Sequence, residues 1–185
     1  MQNTSINYSL YAITAPAANL TTQVQQAIDG GITMLQIREK NCTTKRLIEL
    51  AYPILNLCRN AGIPCIIEIL GDKAIIGTSA HNVAEAVAAE KAGATYLGCG
   101  AVFHTSTKHD ATLLPYAVLC DIRKAVCIPV VAIGGITAHN IPQLYSSGID
   151  GVAVVSAVFG QPDVTRAARE LHELTNPFQK KEQRL

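Results

Sequence analysis

Two cations and an amide close an apolar run in the first quarter of the chain. The run MLQIREK (34–40) ends in Gln36, Arg38 and Lys40, which alternate with Ile37 and Glu39. Alternate side chains of a strand share a face, so the amide and the two cations project to the same side. Such a group can clamp a phosphate or diphosphate. The pattern predicts an anion site here. The alternative is a solvated salt bridge at the end of the strand.

A loop rich in hydroxyl groups follows a second apolar run, TYLGCGAVF (95–103). Its residues are His104, Thr105, Ser106, Thr107 and Lys108. Three hydroxyl groups and an ammonium group within a few residues can surround an anionic ligand. The loop is therefore a candidate binding segment, the alternative being an ordinary hydrophilic surface loop.

Glycines and a serine close the last two apolar runs. Gly134 and Gly135 follow VVAI, and Val155 and Ser156 follow GVAV. Glycines let backbone amides approach a ligand, and a helix that begins there offers unpaired N–H groups. This predicts a phosphate monoester site, although the two glycines could also form only a tight turn. Two separate anion sites suggest group transfer between two phosphorylated molecules.

Seven apolar, β-branched runs alternate with helical patterns from end to end: 9–14, 34–40, 64–69, 74–79, 95–103, 128–135 and 150–159. Runs that are almost continuously apolar indicate strands covered by helices. Several intervening segments begin with Thr, Asn or Asp and end with Gly, as helices do. The repetition favours a parallel (β/α)8-type barrel, in which the chemistry lies at the carboxyl ends of the strands. No GxGxxG follows the first run, which disfavours a dinucleotide-binding sheet.

Composition bounds the class of protein. The chain has 185 residues, 49% hydrophobic and 16% charged, so one domain (1–185) with a large core is expected, ending in a polar tail over 175–185. A formal net charge of +1 argues against a nucleic-acid partner, and no apolar run is long enough for a membrane span. The N-terminus has no signal-peptide pattern, and the six scattered cysteines suggest buried, reduced thiols, so we expect a cytoplasmic protein.

Five segments together resemble thiamine phosphate synthase and the related thiazole tautomerase. They are QIREK (36–40), IIGTSAHN (75–82), GCGAVFHTSTKHDA (98–111), PVVAIGGI (129–136) and DGVAVVSAVF (150–159). The resemblance implies a (β/α)8 barrel of the TIM type and a transferase of thiamine biosynthesis. Such an enzyme joins hydroxymethylpyrimidine diphosphate to a thiazole phosphate and releases pyrophosphate with the help of Mg²⁺. Its partners are small phosphorylated heterocycles.

The resemblance also implies roles for particular residues. The pyrimidine diphosphate would contact Gln36, Ile37, Arg38, Glu39, Lys40, Ser79 and Lys108, and the cations Arg38, Lys40 and Lys108 would balance the charge of the departing diphosphate. The thiazole phosphate would contact Thr105, Ser106, Thr107, Gly135, Val155 and Ser156. The tautomerase places a histidine where this chain has Ala101, which argues against that activity, while the nearby His104 keeps it open.

The chain departs from this family in one region. The fourth strand and its flanking helices are absent, since only four residues separate Ile69 from Ala74. Adjacent parallel strands need a crossover of about a dozen residues. Residues 64–79 could therefore form one bent strand, an antiparallel hairpin or a strand that enters another protomer. We expect a barrel shortened by about one strand and two helices, and a homo-oligomer or a locally rebuilt barrel.

The same departure removes both metal-binding aspartates of the family. Glu68 and Asp72 are the weak candidates to replace them, and each could equally be a turn carboxylate. A non-catalytic remnant that still binds a phosphate or the thiazole phosphate is therefore the alternative to an active transferase.

Overall fold

Seven short parallel strands, six α-helices and one 3₁₀-helix lie within the part of the chain that the structure describes. The structure, a computed structural model, describes residues 6–39, 43–67, 77–105 and 112–179. The strands are β1 (Leu10–Ile13), β2 (Met34–Ile37), β3 (Cys65–Ile67), β4 (Gly77–Ala80), β5 (Tyr96–Gly100), β6 (Val130–Ile133) and β7 (Gly151–Val154). The helices are α1 (Leu20–Asp29), α2 (Thr44–Ala61), α3 (Val83–Lys91), α4 (Tyr116–Ala125), α5 (Ser156–Phe159) and α6 (Val164–Gln179), with a 3₁₀-helix over Ile141–Ser147.

The strand order is that of a barrel with one strand removed. The sheet runs β3-β2-β1-β7-β6-β5-β4, and every pairing in it is parallel. The first strand pairs with the last, as in a closed barrel, with Ala12 opposite both Leu35 of β2 and Val154 of β7. Within the described residues the sheet is open between β3 and β4. The predicted shortened TIM-type barrel is confirmed.

The two described strands within 64–79 contradict an antiparallel hairpin and a single bent strand, while a strand that enters another protomer stays a prediction. Residues 65–67 and 77–80 are two parallel strands of one sheet, and they form its opposite edges. The requirement for a long crossover applies to neighbouring strands, whereas here the two strands are not paired with each other. The connecting residues 68–76, which include Glu68 and Asp72, lie outside the described residues.

Two predicted boundaries near the C-terminus are corrected. The apolar run 150–159 is a strand only to Val154, because Ser156–Phe159 forms the short helix α5. Residues 175–179 belong to α6 rather than to a solvated tail. The buried positions of α6 recur every three or four residues as far as Phe178, whose ring packs 5.6 Å from that of Tyr145.

The strands bury a different cluster on each face. Outward residues such as Leu10 and Ala12 pack against the helices. Tyr11, Met34 and Tyr96 belong to the second cluster, on the inner face. There the Tyr11 hydroxyl lies 3.1 Å from that of Tyr96, and burial raises the pKa of Tyr11. These rings fill the interior of the barrel.

The local sequence determines several helix ends as predicted. The Thr43 hydroxyl accepts the backbone N–H of Arg46 at the start of α2, and the Asn82 side chain accepts that of Glu85 at the start of α3. No described helix is long and apolar enough to cross a membrane. Cys58 and Cys99 are buried as expected, but Cys127 is exposed, because it lies in the turn between α4 and β6.

Candidate functional site

A cavity of about 540 Å³ lies at the carboxyl ends of the strands. Residues at or just beyond the ends of β1, β2, β4, β5, β6 and β7 line it. Its volume is in the range of small-molecule sites, and its position is the one where parallel barrels carry their chemistry. The strand ends singled out from the sequence therefore meet around one cavity.

Beyond β2 the alternation of side chains decides which residues face this cavity. Arg38 lines the cavity, and its backbone N–H donates to the Thr14 hydroxyl at 3.0 Å. Gln36 points to the inner face, where its Oε1 accepts the Tyr11 hydroxyl at 2.7 Å. Ile37 instead packs into the core beneath the helices, and Glu39 is not among the cavity residues. The predicted Lys40 lies outside the described residues.

The end of β4 contributes one residue that the sequence predicted and one that it did not. Ser79, which the resemblance assigns to the diphosphate, lines the cavity. His81, to which the sequence analysis gives no role, lines the cavity as well. The sequence contains the information needed to place His81. Residues two apart on a strand share a face, and His81 is two residues after Ser79.

The loop after β5 is attached to β6 at its base. Val102 N–H donates to the Ile133 carbonyl at 3.0 Å, and Phe103 N–H donates to the Gly134 carbonyl at 3.1 Å. These bonds bring His104 and Thr105 to the cavity wall. The other predicted members of the loop, Ser106, Thr107 and Lys108, lie outside the described residues.

The glycine turn after β6 requires glycine for two reasons. Gly134 and Gly135 have φ of 101° and 64°, in the left-handed region. A Cβ on Gly134 would lie 2.6 Å from that of Ala101, and one on Gly135 would collide with the His104 carbonyl oxygen. The turn is therefore packed directly against the loop after β5.

Gly135, Val155 and Ser156 line the cavity together with Thr105. The helical segment after β6 is a 3₁₀-helix that begins only at Ile141, so the glycine turn forms the wall there. After β7, Ser156 is the first residue of the short helix α5. The Gly135 carbonyl accepts a hydrogen bond from the Asn140 side chain at 2.9 Å, which holds the turn in place.

The described lining favours an anionic ligand. It carries one guanidinium group, on Arg38, two imidazoles, on His81 and His104, and several hydroxyl groups, but no carboxylate. An arginine can bind phosphate oxygens through two parallel hydrogen bonds. Ala101 occupies the position at which the resemblance places the tautomerase histidine, and its methyl group lines the cavity.

The described residues do not fit a magnesium ion. Among them no group of three His, Cys, Asp or Glu side chains could hold a metal, and Mg²⁺ prefers carboxylate and phosphate oxygens. Glu68 and Asp72, the two candidate ligands, lie outside the described residues. For this reason no chemical role in the cavity is assigned to a metal ion.

Known proteins match nearly the whole chain. The family model described as thiamine monophosphate synthase matches residues 10–68 and 66–158. The chain is 37% identical to the thiamine-phosphate synthase of Chloroflexus aurantiacus, covering 95% of this chain and 96% of that protein. It is 34% identical to the thiamine-phosphate synthase of Clostridium tetani, over 92% of this chain and 97% of that protein. The solved thiamine phosphate pyrophosphorylase of Pyrococcus furiosus superposes with a TM-score of 0.85 at 32% identity, over 94% of this chain and 98% of that one.

The alignments also locate the departure from the family. The alignment to the Clostridium tetani protein has 203 positions, but 92% of 185 residues is only about 170, which leaves about 33 positions with no counterpart in this chain. The two matches to the family model meet at residues 66–68, next to the open seam between β3 and β4. The matches cover most of the chain at more than 30% identity, and the strand order is that of the family's barrel with one strand missing. The chain therefore belongs to the thiamine monophosphate synthase family.

Proposed function

We propose that this protein is a transferase that joins hydroxymethylpyrimidine diphosphate to a thiazole phosphate, forming thiamine phosphate and releasing pyrophosphate. The observation that carries the proposal is that one cavity is lined by residues we assign to both ligands. Arg38 and Ser79, which we assign to the diphosphate, and Gly135 and Ser156, which we assign to the thiazole phosphate, all line it. Family membership supports the same reaction.

The proposed reaction needs no protein nucleophile. The carbon–oxygen bond to the diphosphate breaks, and the diphosphate leaves with the electron pair, its charge balanced by Arg38 and, in the proposal, by Lys40 and Lys108. The lone pair of the thiazole nitrogen then forms a carbon–nitrogen bond to the remaining pyrimidine cation. The protein contributes orientation and a preorganised electrostatic environment.

The apolar part of the lining supports this reaction. Ile13 and Ile133, which belong to the inner cluster, line the cavity. Apolar walls can hold two flat heterocycles and limit the access of water, which would otherwise capture a reactive cation. The assignments of Gln36 to the pyrimidine diphosphate, and of Thr105 to Thr107 and Val155 to the thiazole phosphate, are part of the proposal, whereas Ile37 and Glu39, which do not line the cavity, are not.

Three further features belong to the proposal. The resemblance implies Mg²⁺, for which Glu68 and Asp72 are the candidate ligands in this chain. The open seam between β3 and β4 favours a homo-oligomer, because exposed sheet edges and apolar surface are usually covered. A cytoplasmic location agrees with the expected small phosphorylated substrates. Sedimentation equilibrium of the full chain tests the oligomer, and a monomer at micromolar concentration would contradict it.

A coupled turnover assay with both phosphorylated substrates and Mg²⁺ tests the activity. Arg38→Ala and Lys108→Ala are the variants, and circular dichroism of each provides the control for folding. Turnover that is lost in both variants supports the transferase. Titration calorimetry with the thiazole phosphate separates the alternatives. Binding without turnover identifies a non-catalytic remnant, and no binding by a folded protein contradicts both functions.

A further inference from the structure

The end of β4 carries an imidazole that the proposed reaction does not yet use. His81 lines the cavity, and Ser79, two residues earlier on the same face, does so as well. Its side chain is 57% exposed, so a ligand in the cavity can reach it. We infer that His81 is an additional ligand of the diphosphate group, with Glu85 as the residue that positions it; this rests on the proposed function.

Glu85 holds one side of the imidazole. Its Oε2 lies 3.2 Å from His81 Nδ1 and also accepts the backbone N–H of His81 at 2.7 Å. Because the Glu85 carboxylate contacts both the backbone N–H and the ring of His81, it restrains both parts of that residue. Because Nδ1 is occupied, Nε2 is the nitrogen that remains for a ligand.

The carboxylate is itself held by the start of α3. Its Oε1 accepts the Asn82 side-chain amide at 2.7 Å, and the Asn82 Oδ1 accepts the Glu85 backbone N–H at 2.9 Å. This reciprocal arrangement is a variant of the capping box, in which the carboxylate accepts the Asn82 side-chain amide and the His81 backbone N–H in place of the N-cap backbone N–H. These contacts lower the pKa of Glu85, the hydrogen bond from the His81 backbone being the largest cause, so the residue is a carboxylate at neutral pH.

The position of His81 suits the diphosphate rather than the thiazole phosphate. It shares the β4 end with Ser79, while Arg38 projects from the end of β2 on the other side of the open seam. A diphosphate has enough oxygens to accept from donors on both sides. In the proposed complex the ligand therefore links the two parts of the sheet that no described strand pairing joins.

Titration calorimetry with inorganic pyrophosphate in a metal-free buffer tests this inference on the full chain. His81→Gln retains an amide donor near the place of Nε2, and His81→Asn retains one near the place of Nδ1 but does not reach the cavity. We expect His81→Asn and His81→Ala to weaken pyrophosphate binding about tenfold, and His81→Gln to stay within about threefold of the wild type. Glu85→Gln keeps the capping box without the charge and is expected to weaken binding by about threefold.

Two controls separate a ligand from a merely structural residue. The affinity for the thiazole phosphate should change less than about twofold in every His81 variant, because that ligand binds at the glycine turn. If His81 only stabilised the start of α3, His81→Asn would bind pyrophosphate normally and His81→Gln would bind it weakly, the reverse of the expected order.

The outcomes also distinguish this inference from the proposed function. If Arg38→Ala weakens pyrophosphate binding but His81→Ala does not, the inference is wrong and the proposed function stands. If the wild type binds pyrophosphate at millimolar concentration neither in this buffer nor after Mg²⁺ is added, both this inference and the diphosphate half of the proposed function are overturned.

Discussion

Substitution of Gly135 tests whether the glycine turn shapes the thiazole phosphate side of the cavity, and the chain offers a matched control. Gly135 and Gly62 have φ of 64° and 69°, so an alanine at either position costs about 1 kcal/mol of backbone strain. Nothing lies within 4 Å of a Cβ on Gly62. A Cβ on Gly135 would collide with the His104 carbonyl oxygen and lie 2.8 Å from the carbonyl carbon of Phe103, where ordinary contacts begin at 3.4 Å.

The 103–104 segment must therefore move by at least about 0.6 Å in Gly135→Ala, although the bond from Phe103 N–H to the Gly134 carbonyl holds it. A misplacement on the order of 1 Å costs roughly 100-fold in rate. We expect kcat/KM, and the affinity for the thiazole phosphate, to fall about 100-fold in Gly135→Ala. Gly62→Ala should stay within about twofold of the wild type.

Urea unfolding of both variants provides the stability comparison, and the coupled assay with calorimetry provides the functional one. Both variants are expected to lose about 1 kcal/mol or more of unfolding free energy, so stability alone would not separate them. Equal activity of Gly135→Ala and Gly62→Ala would refute the reasoning, because it would show that the contact between the turn and the loop after β5 does not shape the site.

Three other predictions concern charge, pH and metal. Arg38→Ala should raise the KM for the pyrimidine diphosphate about 10- to 100-fold, and Arg38→Lys should recover only part of it, because an ammonium lacks the two-donor geometry. Burial, followed by the neighbouring Tyr96, raises the pKa of Tyr8 to about 12. The unfolded chain therefore ionises first, and the unfolding free energy should fall between pH 10 and 12, less steeply in Tyr8→Phe; equal slopes would contradict this. Chelation by EDTA should abolish turnover and added Mg²⁺ restore it, while Glu68→Ala and Asp72→Ala, assayed for the Mg²⁺ concentration at half-maximal rate, show whether either residue is a ligand.

Local patterns were sufficient to predict much of the fold and part of the site. The alternation in 34–40 separated Gln36 and Arg38 from Ile37, because side-chain direction in a strand depends only on the backbone. The same rule places His81 beside Ser79. In the structure the Glu85 carboxylate binds His81, while the Glu85 backbone N–H is capped by Asn82.

Sequence alone was enough for the βα repetition and the strand ends that carry the polar residues, since both follow from periodicity, turn residues and spacing along the chain. The shortening of the barrel followed from the resemblance to a family whose fourth strand has no counterpart in this sequence. Only the tertiary structure decided where β3 and β4 lie, because strand order depends on pairing between distant segments and 68–76 could have followed several paths. The contact between Gly135 and the His104 carbonyl was decided there too, as was the continuation of α6 to Gln179. Both depend on surfaces that come into contact only after the sheet has curled, and no local sequence pattern predicts such a contact.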